Sequence, residues 1–473
     1  MDDALAERVV KKLGALGASY AEARIEDVSY EFYVMRKGNL DAADASRATG
    51  IGMRALVNGA LSFASLDRLT PDAADAQAVR CVRLAGAAST RAKRKIKLCS
   101  EKAHVATVSV KEKRKLSSVS REEKLELLKE VDKAVPKGVK VPGRNLYMQI
   151  VKSEKLFVNS DGARIRMTTP IVYMSATATV NANGKNAQAM LWMGGTGGWE
   201  AMLALNGPKR MERECKILHA NLTKGVAPPK GKIDIVVGPE VTGIATHESC
   251  GHPYEADRIM GREAAQAGES FVRLNMLGTR IGSKVPTIME DPTLPGSYGY
   301  YLYDDEGVKA RPRILMKNGI INEFLHNRET AARAGLKNSN GSARADGFNR
   351  EPLVRMANTF VKPGDYKFDD LIEDVKLGVY VNSFNEWNID DTRFNQKYVG
   401  REAFLIKNGE LKGPVKDPRI EVTTPDFWSA VDAVGNDFFL SVGTCGKGEP
   451  AQGVPVGMGG PHMRLRGLRL GGV

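Results

Sequence analysis

Two histidines five residues apart, with an acid directly after the first, constrain this chain more than any other feature: His247-Glu248-Ser249-Cys250-Gly251-His252. They sit in a run with helical character. Neutral imidazoles hold a zinc ion, and a carboxylate beside it takes a proton from the water the metal binds. The familiar pattern, H-E-x-x-H, places its histidines at i and i+4 on one helix face. A regular helix turns about 100° per residue, so i+4 lies roughly 40° from the first side chain and i+5 roughly 140°. Both imidazoles reach one ion only if the helix is locally widened, and a π turn with its i→i+5 bond does this. Gly251 lowers the cost of a distorted backbone. Pro253 lacks the N–H that a regular helix would use. The expectation is a bulge or break near Gly251.

A chain of 473 residues is too long for one ordinary core, and two domains are the natural reading. With 42% hydrophobic and 26% charged residues it has the composition of a globular protein. No run of 18 apolar residues occurs, so a membrane span is not expected. The start, Met1-Asp2-Asp3-Ala4, is acidic where a signal peptide would be basic. Cys81, Cys99, Cys215, Cys250 and Cys445 are odd in number and widely spaced, which argues against a disulfide framework. A cytoplasmic location is the expectation. The formal charge of +13 is concentrated: residues 91–115 hold ten Lys or Arg against Glu101 and Glu112. Such a stretch suits nucleic acid or an acidic partner. It carries no Phe, Tyr or Trp for base stacking, which favours a solvated basic lobe.

Residues 3–17 have the period of an amphipathic helix, and 20–36 alternate as a strand. Residues 50–64 read as a hairpin around Asn58-Gly59. Helices follow from Thr70-Pro71-Asp72 to about 87 and from Ser120 to about 134, the second opening in capping-box form. Residues 145–183 suggest several strands broken at Ser160-Asp161-Gly162, then a glycine-rich joint at 194–198 and a helix at 208–225. Ala227-Pro228-Pro229-Lys230-Gly231 is the best linker. The expected fold is α+β: an N-terminal α/β domain over 1–226, then a β-rich C-terminal domain over 227–473. Its buried strand 233–237 leads into the helix that carries the histidines. Hairpins around Asn318-Gly319 and Asn408-Gly409 and a strand at 438–442 fill the second part.

A catalytic zinc site wants three protein ligands and an open position. His247 and His252 supply two. Spacing leaves the third open between Glu255, just downstream, and Cys445 in Gly443-Thr444-Cys445-Gly446-Lys447-Gly448, where glycines let the backbone turn and Lys447 favours a thiolate. Glu255 or Asp257 also suits an imidazole N–H, unless both lie on a solvated helix end. Cys250 beside His252 raises a cysteine nucleophile, but such pairs are usually distant in sequence, and packing behind the site is the simpler reading. His104, His219, His326 and His462 stand alone.

At this point the chain resembles the TldD/PmbA family, also called modulator of DNA gyrase proteins, in its catalytic TldD-type branch. The resemblance runs through Thr49-Gly50-Ile51-Gly52-Met53-Arg54, Asn159-Ser160-Asp161-Gly162, and His247-Glu248-x-x-x-His252-x-x-Glu255-x-Asp257. It continues in Glu290-Asp291-Pro292-Thr293-Leu294-Pro295-Gly296-Ser297-Tyr298-Gly299, Arg355-Met356-Ala357-Asn358-Thr359 and Gly443-x-Cys445-Gly446-Lys447-Gly448. It implies a zinc metallopeptidase with His247, His252 and Cys445 as ligands and Glu248 as the base that activates a zinc-bound water. It also implies small or unfolded peptides as substrates and a dimer, of two copies or with a related subunit lacking the motif. A thiolate ligand would soften the zinc and slow turnover. The basic stretch lies outside the family pattern. The competing class is a non-catalytic binding protein that uses residues 91–115 on nucleic acid or a protein partner.

Overall fold

The alternation at 20–36 becomes one 17-residue strand, β1 (Tyr20–Arg36), in the computed structural model, which describes residues 2–262, 268–448 and 451–471. It pairs antiparallel with β2 (Asn39–Val57) across a turn in which Lys37 and Gly38 have positive φ. β2 starts eleven residues before the expected hairpin. Residues 39–49 are almost wholly exposed, so they lack the two-sided alternation that marks a strand, and pairing with β1 alone holds them. β3 (Ala60–Leu66) follows the Asn58-Gly59 turn. β4 (Val105–Ser109), β5 (Lys140–Asn159), β6 (Arg164–Ala182) and β7 (Lys185–Thr196) complete a seven-stranded sheet in the order β3-β2-β1-β5-β6-β4, with β7 also on β6. The expected several strands of 145–183 are therefore two long ones joined at Ser160–Gly162.

Helices cover this sheet. Asp3–Ala15, capped by the Asp2 carboxylate on the Leu5 N–H at 3.1 Å, and Pro71–Ser89 bury Leu5, Val9, Leu13, Ala74 and Ala78 against Ile25, Ile51 and Met53. Arg121–Lys133 and Gly207–Lys224 close a second core around Leu128, Val131, Met174 and Met211. The glycine-rich joint turns out to be the end of β7. A Cβ at Gly194 would lie 2.9 Å from Tyr298, and one at Gly195 would lie 2.8 Å from the Gly296 carbonyl. These glycines let a distant segment dock, and no hinge is needed there.

From residue 232 the chain is strand-rich. β8 (Lys232–Val237) lies inside a nine-stranded sheet, parallel to Leu377–Val381 and antiparallel to Met463–Gly471. A six-stranded sheet runs from Ile320–Ile321 through Arg313–Lys317, Ile288–Glu290, Asn358–Val361 and Gln452–Gly460 to Phe439–Lys447. The helix Pro239–Thr246, buried at nearly every position, puts Val241 and Ile244 into one hydrophobic core with Ile235, Leu315 and Val456 of the two sheets and with Met356.

The basic stretch is a strap. Among its residues, 91–104 have no helix or strand, and all ten Lys and Arg side chains of 91–115 are exposed. It is pinned by Ile96 N–H on the Gly59 carbonyl at 2.7 Å and by Cys99 N–H on the Arg328 carbonyl at 3.0 Å. Other ties join the strand-rich part to the first sheet: the buried Arg54 bonds Glu22 at 2.6 Å and Glu306 at 2.8 Å, and the half-buried Lys155 meets Asp305 at 3.0 Å. Among the described residues no helix is long and apolar enough to cross a membrane.

Candidate metal centre

Pro239 starts the site helix at a position where its missing N–H costs nothing. Regular α geometry ends at Thr246, and residues 247–251 form a π turn in which the His252 N–H bonds the His247 carbonyl, an i→i+5 link. The widening that the spacing calls for is thus present. Gly251 has a second role beside that widened turn. Its backbone is right-handed with ψ steeper than in a regular α-helix, φ −67° and ψ −72°, and a Cβ there would fall 2.0 Å from Met356 Sδ. Gly251 serves close packing. A tight turn at 252–254 follows, and Glu255 leaves the helix in extended conformation.

The two imidazoles face each other edge-on, centroids 4.9 Å apart at 80°. Cys445 Sγ lies 3.4 Å from His252 Nε2. One ligand atom from each of His247, His252 and Cys445 lies within 4.8 Å of the others, and all three side chains are buried. A tetrahedral zinc with bonds of about 2.0–2.3 Å sets ligand atoms roughly 3.3–3.8 Å apart, so small adjustments suffice. The Nδ1 of His247 is buried with no hydrogen-bond partner, which suits a metal-ligating ring. Burial lowers the pKa of His247, which keeps the ring neutral as a ligand requires.

Cys445 was expected in a glycine turn. It lies instead within the strand Phe439–Lys447, paired with Val454 of the next strand. Nor does Lys447 make the thiolate. Its ammonium bonds Asp257 at 2.7 Å and the Val354 carbonyl at 2.8 Å, and stands 3.3 Å from Glu255. Burial raises the Cys445 thiol, but His252 and Arg355 outweigh it and bring the pKa down to about 7. Arg355, fully buried, donates to the Cys445 carbonyl.

Glu255 is buried on the far side of His252, so the solvated helix end does not hold. Its Oε2 is 3.0 Å from His252 Nδ1, 3.2 Å from Arg258 Nε and 3.3 Å from Lys447. Burial opposes its ionisation, yet Lys447, His252 and Arg258 together hold its pKa well below the carboxylate range. Committed in this way, it orients the imidazole so that Nε2 faces Cys445. Asp257 touches no histidine; it joins Lys447 to the backbone N–H of Arg258 and Val354.

Glu248 is buried next to the cluster. Burial pushes its pKa up, but His252, Arg393 and His247, with a smaller hydrogen bond from Trp387, bring it below the usual value. Arg393 Nη1 donates to Glu248 Oε2. Cys250 points into the hydrophobic core, and burial drives its thiol far above the ordinary range, which fits packing and not nucleophilic attack. His326 bonds Thr330, and His462 bonds Asp437 and Tyr380, away from the cluster. Sequence reasoning missed Arg393 and Trp387, which belong to no motif. Arg355 stood in a quoted family segment, and that was its only signal.

An α+β chain with a buried His, His, Cys group and a glutamate beside it has the inventory of a metallohydrolase. Three family models match in chain order: PmbA/TldA metallopeptidase domain 1 over residues 21–89, the central domain over 114–218 and the C-terminal domain over 230–472. A metalloprotease of Methanothermobacter thermautotrophicus is 35% identical over 96% of this chain and 95% of its own length. A zinc metalloprotease TldD homologue of Saccharolobus solfataricus is 34% identical over 53% of this chain and 54% of its own. The crystal structure of TldE from Thermococcus kodakarensis superposes with a TM-score of 0.76 over 99% of this chain and all of that one, at 17% identity, and so shares the fold. The chain belongs to the PmbA/TldD metallopeptidase family.

Proposed function

We propose that this chain is a zinc-dependent peptidase that hydrolyses small or unfolded peptides, with His247, His252 and Cys445 as metal ligands and Glu248 as general base. The observation that carries the reading is the convergence of one donor atom from each of three buried side chains within 4.8 Å, beside a buried carboxylate. Two nitrogens and a thiolate favour zinc over harder ions, and one relative carries zinc in its name. Bound there, zinc supplies a Lewis acid for a peptide carbonyl and lowers the pKa of water. Glu248, held as a carboxylate by the Arg393 guanidinium, accepts the water proton and returns it to the departing amine. Glu255 fixes the His252 ring, and Arg355 fixes the strand that carries Cys445. Extended peptides suit a chain so rich in strands, since an added strand is read through its backbone. We propose action as a dimer, either of two copies or with a related subunit that lacks the histidine motif.

Glu248→Gln tests the reading. The expected result is full zinc content with hydrolysis of an unstructured reporter peptide reduced at least a thousandfold. Wild-type cleavage by this variant would remove Glu248 from the mechanism.

A further inference from the structure

Glu248 is gripped from outside its own helix. The strand Phe384–Ile389 and the turn after it bring Trp387 and Arg393 to its carboxylate, 139 and 145 residues away in sequence. Arg393 is held there deliberately. It is a non-glycine residue with φ 66°, in the left-handed region that side chains disfavour. The turn around it is built by Asp390, whose carboxylate accepts from Phe394 N–H at 2.8 Å, Asn395 N–H at 3.1 Å and the Thr392 hydroxyl at 3.1 Å. The Arg393 N–H bonds the Asp390 carbonyl at 3.1 Å, and its carbonyl accepts the Thr424 hydroxyl at 2.9 Å. Thr424 in turn accepts from Gln396 at 2.7 Å, and Tyr398 donates to Gln396. A counter-ion alone would not need a strained backbone locked by so many bonds.

We propose that Arg393 is a positioning residue for the peptidase reaction: by occupying Glu248 Oε2 it fixes the carboxylate so that Oε1 faces the reacting water. The proposal rests on the reading of Glu248 as the base. Trp387 stands beside the same carboxylate, and its indole packs against Phe384 at 5.6 Å and Trp192 of β7 at 6.4 Å between centroids. The guanidinium makes the grip through Nη1 on Oε2, and its rigid planar head sets a donor direction that a lysine ammonium does not.

The test uses Arg393→Ala, Arg393→Lys and Glu248→Gln in the full-length zinc-loaded protein, with steady-state kinetics on a reporter peptide. Arg393→Ala is expected to lower kcat about a hundredfold with KM changed less than threefold and zinc content unchanged. Arg393→Lys should recover no more than a tenth of the lost rate, and added guanidinium ion should restore Arg393→Ala at least tenfold. The double variant Glu248→Gln with Arg393→Ala should be no slower than Glu248→Gln alone, because both act through one group. Wild-type kcat in Arg393→Ala overturns the proposal, as does a pure rise in KM, loss of zinc, or a further fall in the double variant. Should Arg393→Ala not fold, the kcat of Arg393→Lys decides: a rate within threefold of wild type overturns it. An active Glu248→Gln is a different failure and removes the base itself.

Discussion

At the scale of single residues, the chemistry divides between what the local pattern announces and what only folding assembles. His247, Glu248 and His252 are legible because six consecutive residues contain them. Cys445 is not: spacing left it level with Glu255, and only the family resemblance favoured it. In the structure Glu255 is already held by His252, Arg258 and Lys447, while Cys445 lies 3.4 Å from His252. Cys445→Ala should therefore abolish stoichiometric zinc, measured by metal analysis after dialysis, and retained zinc would return Glu255 to candidacy. The sign of the pH effect follows from the thiol. Burial raises its pKa, but His252 and Arg355 depress it from 9.0 to about 7 in the folded chain. Zinc needs the thiolate, so affinity should climb as pH rises toward 7 and gain little from this group above it. In metal-free protein the same depression stabilises the fold fully above about pH 9, and that contribution is lost as pH falls through 7. Metal titration and thermal melting across pH 6–9 check both.

At the scale of elements, strands and helices with two unlike faces could be read, and those defined by a distant partner could not. Residues 20–36 and the helices at 3–15, 71–89 and 121–133 carry their period in the sequence. Residues 39–49 do not, because both faces are in water. The π turn was legible from i+5 spacing, yet the role of Gly251 was not, since Met356 lies 105 residues on. Gly251→Ala should cost about 1–3 kcal/mol through overpacking, and combined with Met356→Ala it should cost less than the two single losses added together. Thermal melts of both single variants and the double variant measure this. A double loss equal to that sum would show that Met356 is not the obstacle.

At the scale of the whole molecule, the first sheet and the strand-rich part are held together by pairs that no sequence motif marks. Gly50 and Gly52 of β2 looked like ordinary strand residues, yet a Cβ on either would meet Phe348 within 2.3 Å. Arg54 joins Glu22 of the first sheet to Glu306 of the other part, all buried. Arg54→Ala strands two carboxylates without their cation, at a cost of about 3–5 kcal/mol. Denaturant unfolding should show a matching loss; a change under 1 kcal/mol would mean that water reaches the pair. The basic strap has one more consequence. Its cleavable side chains are exposed on a segment without helix or strand, so trypsin should open the chain there first. The cut would separate β1 from β5 in covalent terms only, because fifteen residue pairs bind those two strands. The nicked protein should elute as one particle and run as two bands only once denatured; fragments that part without denaturant would show that those pairs do not hold the two pieces.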